Sequence, residues 1–329
     1  MKEIPVFFTI DENYAPYLAV AINSIIKNAS RDYQYRIIVL HQDVTDETVQ
    51  KIRKLETDWV KMEFIPMQQC YEQLWGSAER IDSQITDHIS NRLRADYFTM
   101  TIYFRLFIPD LFPQYDKGIY LDSDIVVLGD ISEMYNIDLG DNLLGVCLDL
   151  SIHDTPELVH YITDGVGVGK ENYFNSGILL MNLKRLREVR LGERFLEVHK
   201  KWEFDCIAPD QDYLNALCFG HVMKIDPRWD TMPNRKQPEI RHPLLIHYNL
   251  FEKPWMYDGI QYSEYFWDYA YDSGYWGWLL EFKSKYSKEK QQADMECLTN
   301  LVARGEKIAT VPGNFREVFN GGKEKRLCD

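Results

Sequence analysis

Two aspartates two positions apart, Asp122 and Asp124, interrupt an apolar run in residues 117–130, KGIYLDSDIVVLGD. An apolar segment ending in carboxylates reads as a buried strand that delivers charge to a cleft. Residues two apart on a strand share a face, so the pair would point the same way unless the strand ends between them. Like charges that close repel, and a divalent cation is the cheapest compensation. Carboxylate oxygens suit Mg2+ or Mn2+. Asp-Ser-Asp is equally ordinary turn chemistry with solvated side chains, so this segment leaves both readings open.

Other polar residues fall where a cleft would be. Residues 4–10 form an apolar strand followed by Asp11 and Asn13, and Pro16 opens a helix with Leu18, Ala21, Ile22, Ile25 and Ile26 at helical spacing. Ligands of open α/β sheets bind beyond the carboxyl ends of strands, so Asp11 and Asn13 could hydrogen-bond a base or ribose, or simply cap the helix. Arg105 sits alone in the apolar run 101–108 and needs a partner if buried, either a structural carboxylate or a ligand. Asn175 precedes a strand at 176–181, Asp210 and Gln211 open a helix at 209–214, and a short strand at 244–246 ends at His247, six residues before Lys253. Each has a structural reading as turn, cap or strand-end residue.

The elements that would position these groups alternate. Strands at 4–10, 36–40 and 62–65 enclose a helix after Pro16 and another starting at Thr45, with Val49, Ile52 and Leu55 inward. Such alternation predicts a parallel sheet with helices on both faces and right-handed crossovers. Further strands are expected at 143–148, ending at Asp149, and a continuous amphipathic helix at 186–202. Residues 71–96 have poor periodicity and read as surface loops. Neither G-x-G-x-x-G nor G-x-x-x-x-G-K-[ST] occurs, so no glycine-rich loop grips phosphate.

The 329 residues carry no Pro/Gly/Ser-rich linker, and 45% hydrophobic content is enough for one large α/β core with a C-terminal extension. Against 37 basic side chains stand 51 acidic ones, a net charge of −14, which opposes the phosphate neutralisation that nucleic-acid binding requires. The basic residues near the end, Lys283, Lys285, Lys288, Lys290, Lys323, Lys325 and Arg326, form a solvated face or a contact with an anionic membrane. Six scattered cysteines without a C-x-x-C pair read as reduced, mostly buried thiols. The N-terminus lacks the pattern of a signal peptide and no apolar stretch reaches spanning length, so a soluble, cytoplasmic protein is expected.

Six segments in order resemble glycosyltransferase family 8: FTIDENYA at 8–15, Tyr103-Phe104-Arg105, YLDSDIVV at 120–127, YFNSGILLMNL at 173–183, PDQDYLN at 209–215 and HYNLFEKPW at 247–255. The resemblance covers roughly the first 255 residues. It implies a GT-A fold, a Rossmann-like mostly parallel sheet flanked by helices, with a catalytic domain at 1–275 and a helical extension at 276–329. It implies a retaining hexosyltransferase that uses UDP-glucose or UDP-galactose with manganese (Mn2+, or Mg2+) and a saccharide or glycolipid acceptor. Carried over, Asp122, Asp124 and His247 would hold the metal. Asp11 and Asn13 would contact uridine, Arg105 and Ser123 the donor, and Lys253 a phosphate. Asp149, Asn175, Asp210 and Gln211 would line the sugar side, Gln211 steadying a front-face transition state and Asp210 being the alternative nucleophile. The chain departs from the family at Leu250, where members often carry Gly three residues after the histidine. A backbone N–H there can still bind phosphate, without the close approach glycine permits.

Two rivals follow from the same residues. I-Y-L-D-S-D-I-V also fits a haloacid-dehalogenase-like phosphatase with Asp122 as nucleophile and Asp124 as general acid, although that motif belongs on a first strand. A sugar-nucleotide-binding protein that lost turnover is the non-enzymatic alternative.

Overall fold

The computed structural model describes residues 2–75, 100–234, 236, 239–251 and 253–329. Its strands are β1 Lys2–Ile10, β2 Tyr33–His41, β3 Val60–Pro66, β4 Gly118–Leu121, β5 Ile125–Val127, β6 Leu144–Leu148, β7 Phe174–Met181, β8 Val222–Lys224 and β9 Leu245–His247. The fold is α/β, with mostly parallel strands flanked by helices, as expected. Two compact units are formed. One comprises Met1–Met67, Gly118–Asp138 and Asp226–Met295, the other Gln68–Lys117, Leu139–Ile225 and Glu296–Asp329.

In the first unit the order is β3-β2-β1-β4, all parallel. Strands of such a sheet are covered on both faces and so read as continuous apolar runs; Val6, Phe7, Phe8, Ile37, Val39 and Leu40 are all fully buried. The crossover helix Ala15–Asn28 has Pro in its first turn and is buried from Ala15 to Ile25, deeper than an amphipathic helix. Thr45 caps the helix Asp46–Arg53 by accepting from the N–H of Thr48, with acids in its first turn and bases in its last.

A second pairing in this unit matters more for chemistry. β5 runs antiparallel to β9, setting Ile125 opposite His247, and the N–H of Tyr248 donates to the carbonyl of Asp124 at 2.9 Å. Of the two readings left open for 117–130, the strand does end at the aspartates: β4 and β5 are separate strands in different pairings. Asp122 and Asp124 occupy the turn between them, so they converge through the turn and not through a shared strand face.

In the second unit β6 pairs antiparallel with β7 and parallel with β8. Asn175, expected just before β7, is its second residue, and its Oδ1 accepts from the N–H of Gly177 at 2.7 Å. The expected helix at 186–202 is two helices, Leu183–Glu188 and Leu191–Trp202, broken where Arg190 takes φ +57°. Of the stretch 71–96, residues 76–96 lie outside the described residues, and its first part closes the helix Met67–Trp75. Among the described residues no helix is long and apolar enough to cross a membrane. Four of the six thiols are buried.

Candidate functional site

The expected site residues are divided between the two units, and each unit contains one cluster of them. The first unit gathers Asp122, Asp124 and His247, whose ligand atoms all lie within 4.8 Å of one another. His247 Nε2 is 3.4 Å from Asp124 Oδ1 and 4.0 Å from Asp122 Oδ2. Bonds of about 2.1 Å to one ion put neighbouring ligands about 3 Å apart and opposite ones about 4.2 Å apart. The three donors therefore fit one divalent cation after shifts of a few tenths of an ångström. The two carboxylate oxygens match the preference of Mn2+ or Mg2+ for hard donors, and the imidazole nitrogen is a borderline donor beside them.

Other residues tune this centre. Asp122 Oδ1 accepts from the hydroxyl of Tyr120 at 2.8 Å, and Tyr120 pairs in turn with Thr9. Lys253 Nζ, almost wholly buried, donates to Asp124 Oδ2 at 2.5 Å and to the carbonyl of Tyr248 at 2.7 Å. Burial raises the pKa of Asp124, but the ammonium of Lys253 and the imidazole of His247 outweigh it and hold the carboxyl well below the usual range. For His247 burial acts to lower the value, and Asp124 and Asp230 reverse this, pushing it up to about 10. Metal binding displaces protons from such ligands.

Two groups at this centre were not singled out by sequence. Asp230, its side chain fully buried, lies 3.1 Å from His247 Nδ1. Nothing in a 17-residue separation signals that contact. Tyr14 was visible only as a member of the FTIDENYA segment. Its hydroxyl is pushed well above its ordinary value by burial and then by the field of Asp124.

Asp11 is buried at the carboxyl end of β1, and its Oδ1 accepts from the N–H of Tyr14 at 3.1 Å, so it does cap the following turn. Burial raises its pKa against the lowering effect of those backbone donors. Asn13 is exposed and Ser123 buried. Leu250 has φ +48°, so the chain keeps at this position the left-handed conformation that favours glycine.

The second unit holds the other five residues, and hydrogen bonds link Arg105, Asp149, Asp210 and Gln211 through Ser176, while Asn175 bonds locally to Gly177. Arg105 is buried, its Nη1 3.2 Å from Asp210 Oδ2 and 2.7 Å from the carbonyl of Ser176, with Nε donating to the carbonyl of Ile102. Ser176 Oγ donates to Asp210 at 2.7 Å. The amide of Gln211 is held at both ends: Nε2 donates to Asp149 Oδ2 at 2.9 Å, and Oε1 accepts from the N–H of Ser176 at 3.0 Å. Asp149 also accepts from the N–H and hydroxyl of Ser151. Beside them Asp212 accepts 2.6 Å hydrogen bonds from the hydroxyls of Tyr161 and Tyr173. Burial, and then Asp212, pushes both phenols well above their ordinary value. Ser176 and Asp212 lie inside the quoted motifs, yet only the folded chain shows what they touch.

The profile of glycosyl transferase family 8 matches residues 5–259, most of the chain. The chain belongs to glycosyltransferase family 8. A lipopolysaccharide 1,2-glucosyltransferase of Escherichia coli strain K12 is 26% identical over 302 residues, covering 85% of this chain and 83% of its own. A glycosyltransferase of Haemophilus influenzae is 29% identical over 229 residues, 69% of this chain. Among solved structures, the galactosyltransferase LgtC in complex with donor and acceptor sugar analogs superposes with TM-score 0.64 at 25% identity, covering 81% of this chain and 95% of that one. The bifunctional glycosyltransferase WbbM gives TM-score 0.70 at 23% identity and 86% coverage of this chain, a likeness of fold. The family 8 chain spans only 63% of the Haemophilus protein and 52% of WbbM. These neighbours are GT-A glycosyltransferases, and the GT-A assignment of the fold holds. Family 8 membership also sets aside the dehalogenase-like phosphatase, whose acidic motif belongs on a first strand and not after β4.

Proposed function

We propose that this chain is a retaining hexosyltransferase that moves glucose or galactose from a UDP-sugar to a saccharide or glycolipid acceptor, with Mn2+, or Mg2+ in its place, held by Asp122, Asp124 and His247. The observation that carries the reading is the convergence of the paired Asp122 and Asp124 with His247, 123 residues beyond Asp124 in sequence, within 4.8 Å. The names of two similar proteins, a lipopolysaccharide glucosyltransferase and a galactosyltransferase, support a hexose donor and a glycan acceptor.

A bound divalent cation supplies Lewis-acid stabilisation of the charge that develops on a departing diphosphate. In this reading Lys253 adds a positive contact to the same phosphates, Ser123 and Arg105 serve the donor, and Asp11 and Asn13 serve the uridine. Gln211 steadies positive charge at the anomeric carbon, with Asp149, Asn175 and Asp210 around it. Because an amide is a poor nucleophile, the proposal is a front-face displacement in which the leaving phosphate helps deprotonate the acceptor hydroxyl. The catalytic domain is taken as 1–275 and the extension as 276–329. A cytoplasmic enzyme acting on a lipid-linked acceptor would meet a membrane surface, and exposed Tyr271, Trp278 and Leu280 near Lys283 and Lys285 support contact there.

A thermal-shift screen of UDP-sugars with and without Mn2+ tests the reading. Stabilisation by one donor only in the presence of metal, followed by its turnover, is expected. Binding of UDP without transfer or hydrolysis of any donor would leave a nucleotide-sugar-binding protein.

A further inference from the structure

We propose that Asp230 is the positioning residue of the metal centre: its carboxylate takes the Nδ1–H of His247, so that Nε2 alone is presented to a cation between Asp122 and Asp124. The inference rests on the metal-site reading above. It starts from the contact between a fully buried carboxylate and the far nitrogen of the histidine at the metal centre. A carboxylate with a side chain exposure of 0% is costly to bury, and this one lies 3.1 Å from the ring nitrogen that points away from the other two carboxylates. The opposite nitrogen, Nε2, is the one within 3.4–4.0 Å of Asp124 and Asp122.

The backbone makes this contact stiff. Asp230 ends the short 3₁₀ turn Pro227–Asp230. Its neighbour Thr231 bridges to Ile246, donating its N–H to Leu245 and accepting from the N–H of His247 at 2.9 Å. Asp230 therefore rides on the segment bonded to the strand that carries His247, and the two side chains are held in register without depending on flexible atoms. Once Nδ1–H is committed to Asp230, neither ring rotation nor the other tautomer is available without breaking a buried hydrogen bond.

Charge makes the same point. Among the described residues in contact here, Asp122, Asp124 and Asp230 contribute three negative charges, Lys253 one positive and a neutral ligating imidazole none, leaving two, the charge a divalent cation cancels. Removing the charge of Asp230 halves that complement.

The test is Mn2+ binding by the purified full chain, read from the electron paramagnetic resonance signal of free Mn2+, with urea unfolding of the metal-free proteins alongside. Asp230→Asn keeps an acceptor for Nδ1–H but loses the charge, whereas Asp230→Leu loses both. Expected are an affinity about 10-fold weaker for Asp230→Asn and about 100-fold weaker for Asp230→Leu, the usual range for removing such a partner. Should Asp230→Leu fail to fold, Asp230→Asn decides. If the variants are less stable yet bind Mn2+ within twofold of wild type, Asp230 is a packing residue and the proposal is overturned. If wild type itself binds no Mn2+, it is the metal-site reading that fails, and this inference with it.

Discussion

The ammonium of Lys253 lies 2.5 Å from Oδ2 of Asp124, and both groups are largely shielded from water. That places a cation of the protein on the same carboxylate that the proposed metal uses. Lys253→Met removes one of the two cationic groups that act on Asp124, leaving the imidazole of His247, and removing one partner of a buried pair costs about 3–5 kcal/mol. The metal-free variant should therefore unfold at lower urea concentration, while Mn2+ should raise its melting temperature more than it raises that of wild type. UDP affinity should fall about 10–100-fold, the value of a charge-assisted contact. An equal Mn2+ shift in the two proteins, by differential scanning fluorimetry, would show that the ammonium and the metal do not share Asp124.

Leu250 tests what the loop after His247 is for. A non-glycine residue in the left-handed region costs about 1–2 kcal/mol, yet this chain accepts that cost at φ +48°. If the backbone here serves a phosphate, the conformation at Leu250 and not its side chain is what matters. Leu250→Gly should then keep stability within about 1 kcal/mol, relief of strain being offset by greater freedom of the unfolded chain, with UDP binding equal or tighter. Leu250→Val puts a β-branched residue where it is a genuine outlier and should lower both. Equal stability and UDP affinity in the two variants would sink the argument.

These residues also mark how far sequence reasoning reached. Asp122 and Asp124 were legible because carboxylates interrupt an apolar run, but the geometry was not: the turn between β4 and β5 brings them together, and strand-face arithmetic gives the wrong reason. His247 stood out as a strand-end residue, but its metal role was visible only through family resemblance, since its approach to Asp124 depends on the β5–β9 register, a long-range pairing without local signature. Asp230 was not legible for the same reason, being linked through Thr231. The break at Arg190 escaped because a left-handed arginine leaves no mark comparable to glycine. Local alternation of strand and helix, by contrast, was readable wherever each element's own burial pattern sets its period, as in β1, β2 and the helix after Thr45.

Acid stability has a separate origin in the second unit. Glu324, with a side chain 8% exposed, accepts from Arg194, Lys201 and the indole of Trp202. Burial alone would raise its pKa, but those donors hold it at about 2 against an ordinary 4.5. The folded value is the lower one, so its stabilisation is complete above about pH 4.5 and is lost as pH falls through about 2. With Lys201 open to solvent, about 1–2 kcal/mol is expected. Glu324→Gln should be less stable than wild type by that amount at pH 7, with the gap closing between pH 4.5 and 2. Urea midpoints that differ equally at pH 7 and at the acid end would rule out ionisation as the source.

Gln211 is fixed at both ends of its amide, by Asp149 and by the N–H of Ser176, which separates two consequences of removing it. Gln211→Ala leaves that buried N–H and one oxygen of Asp149 without their partner, costing about 1–3 kcal/mol of stability. If the amide also steadies the transition state, kcat should fall about 100–1000-fold, the range for losing one preorganised group, while KM for the donor changes little. Asp149→Ala frees Nε2 and should reproduce part of the kcat loss with Gln211 still present. The decisive comparison is at a temperature where both variants are folded by circular dichroism. A wild-type kcat for Gln211→Ala there would confine the residue to holding β7 against the helix Pro209–Leu217, and the charge on the sugar would have to be met by another group.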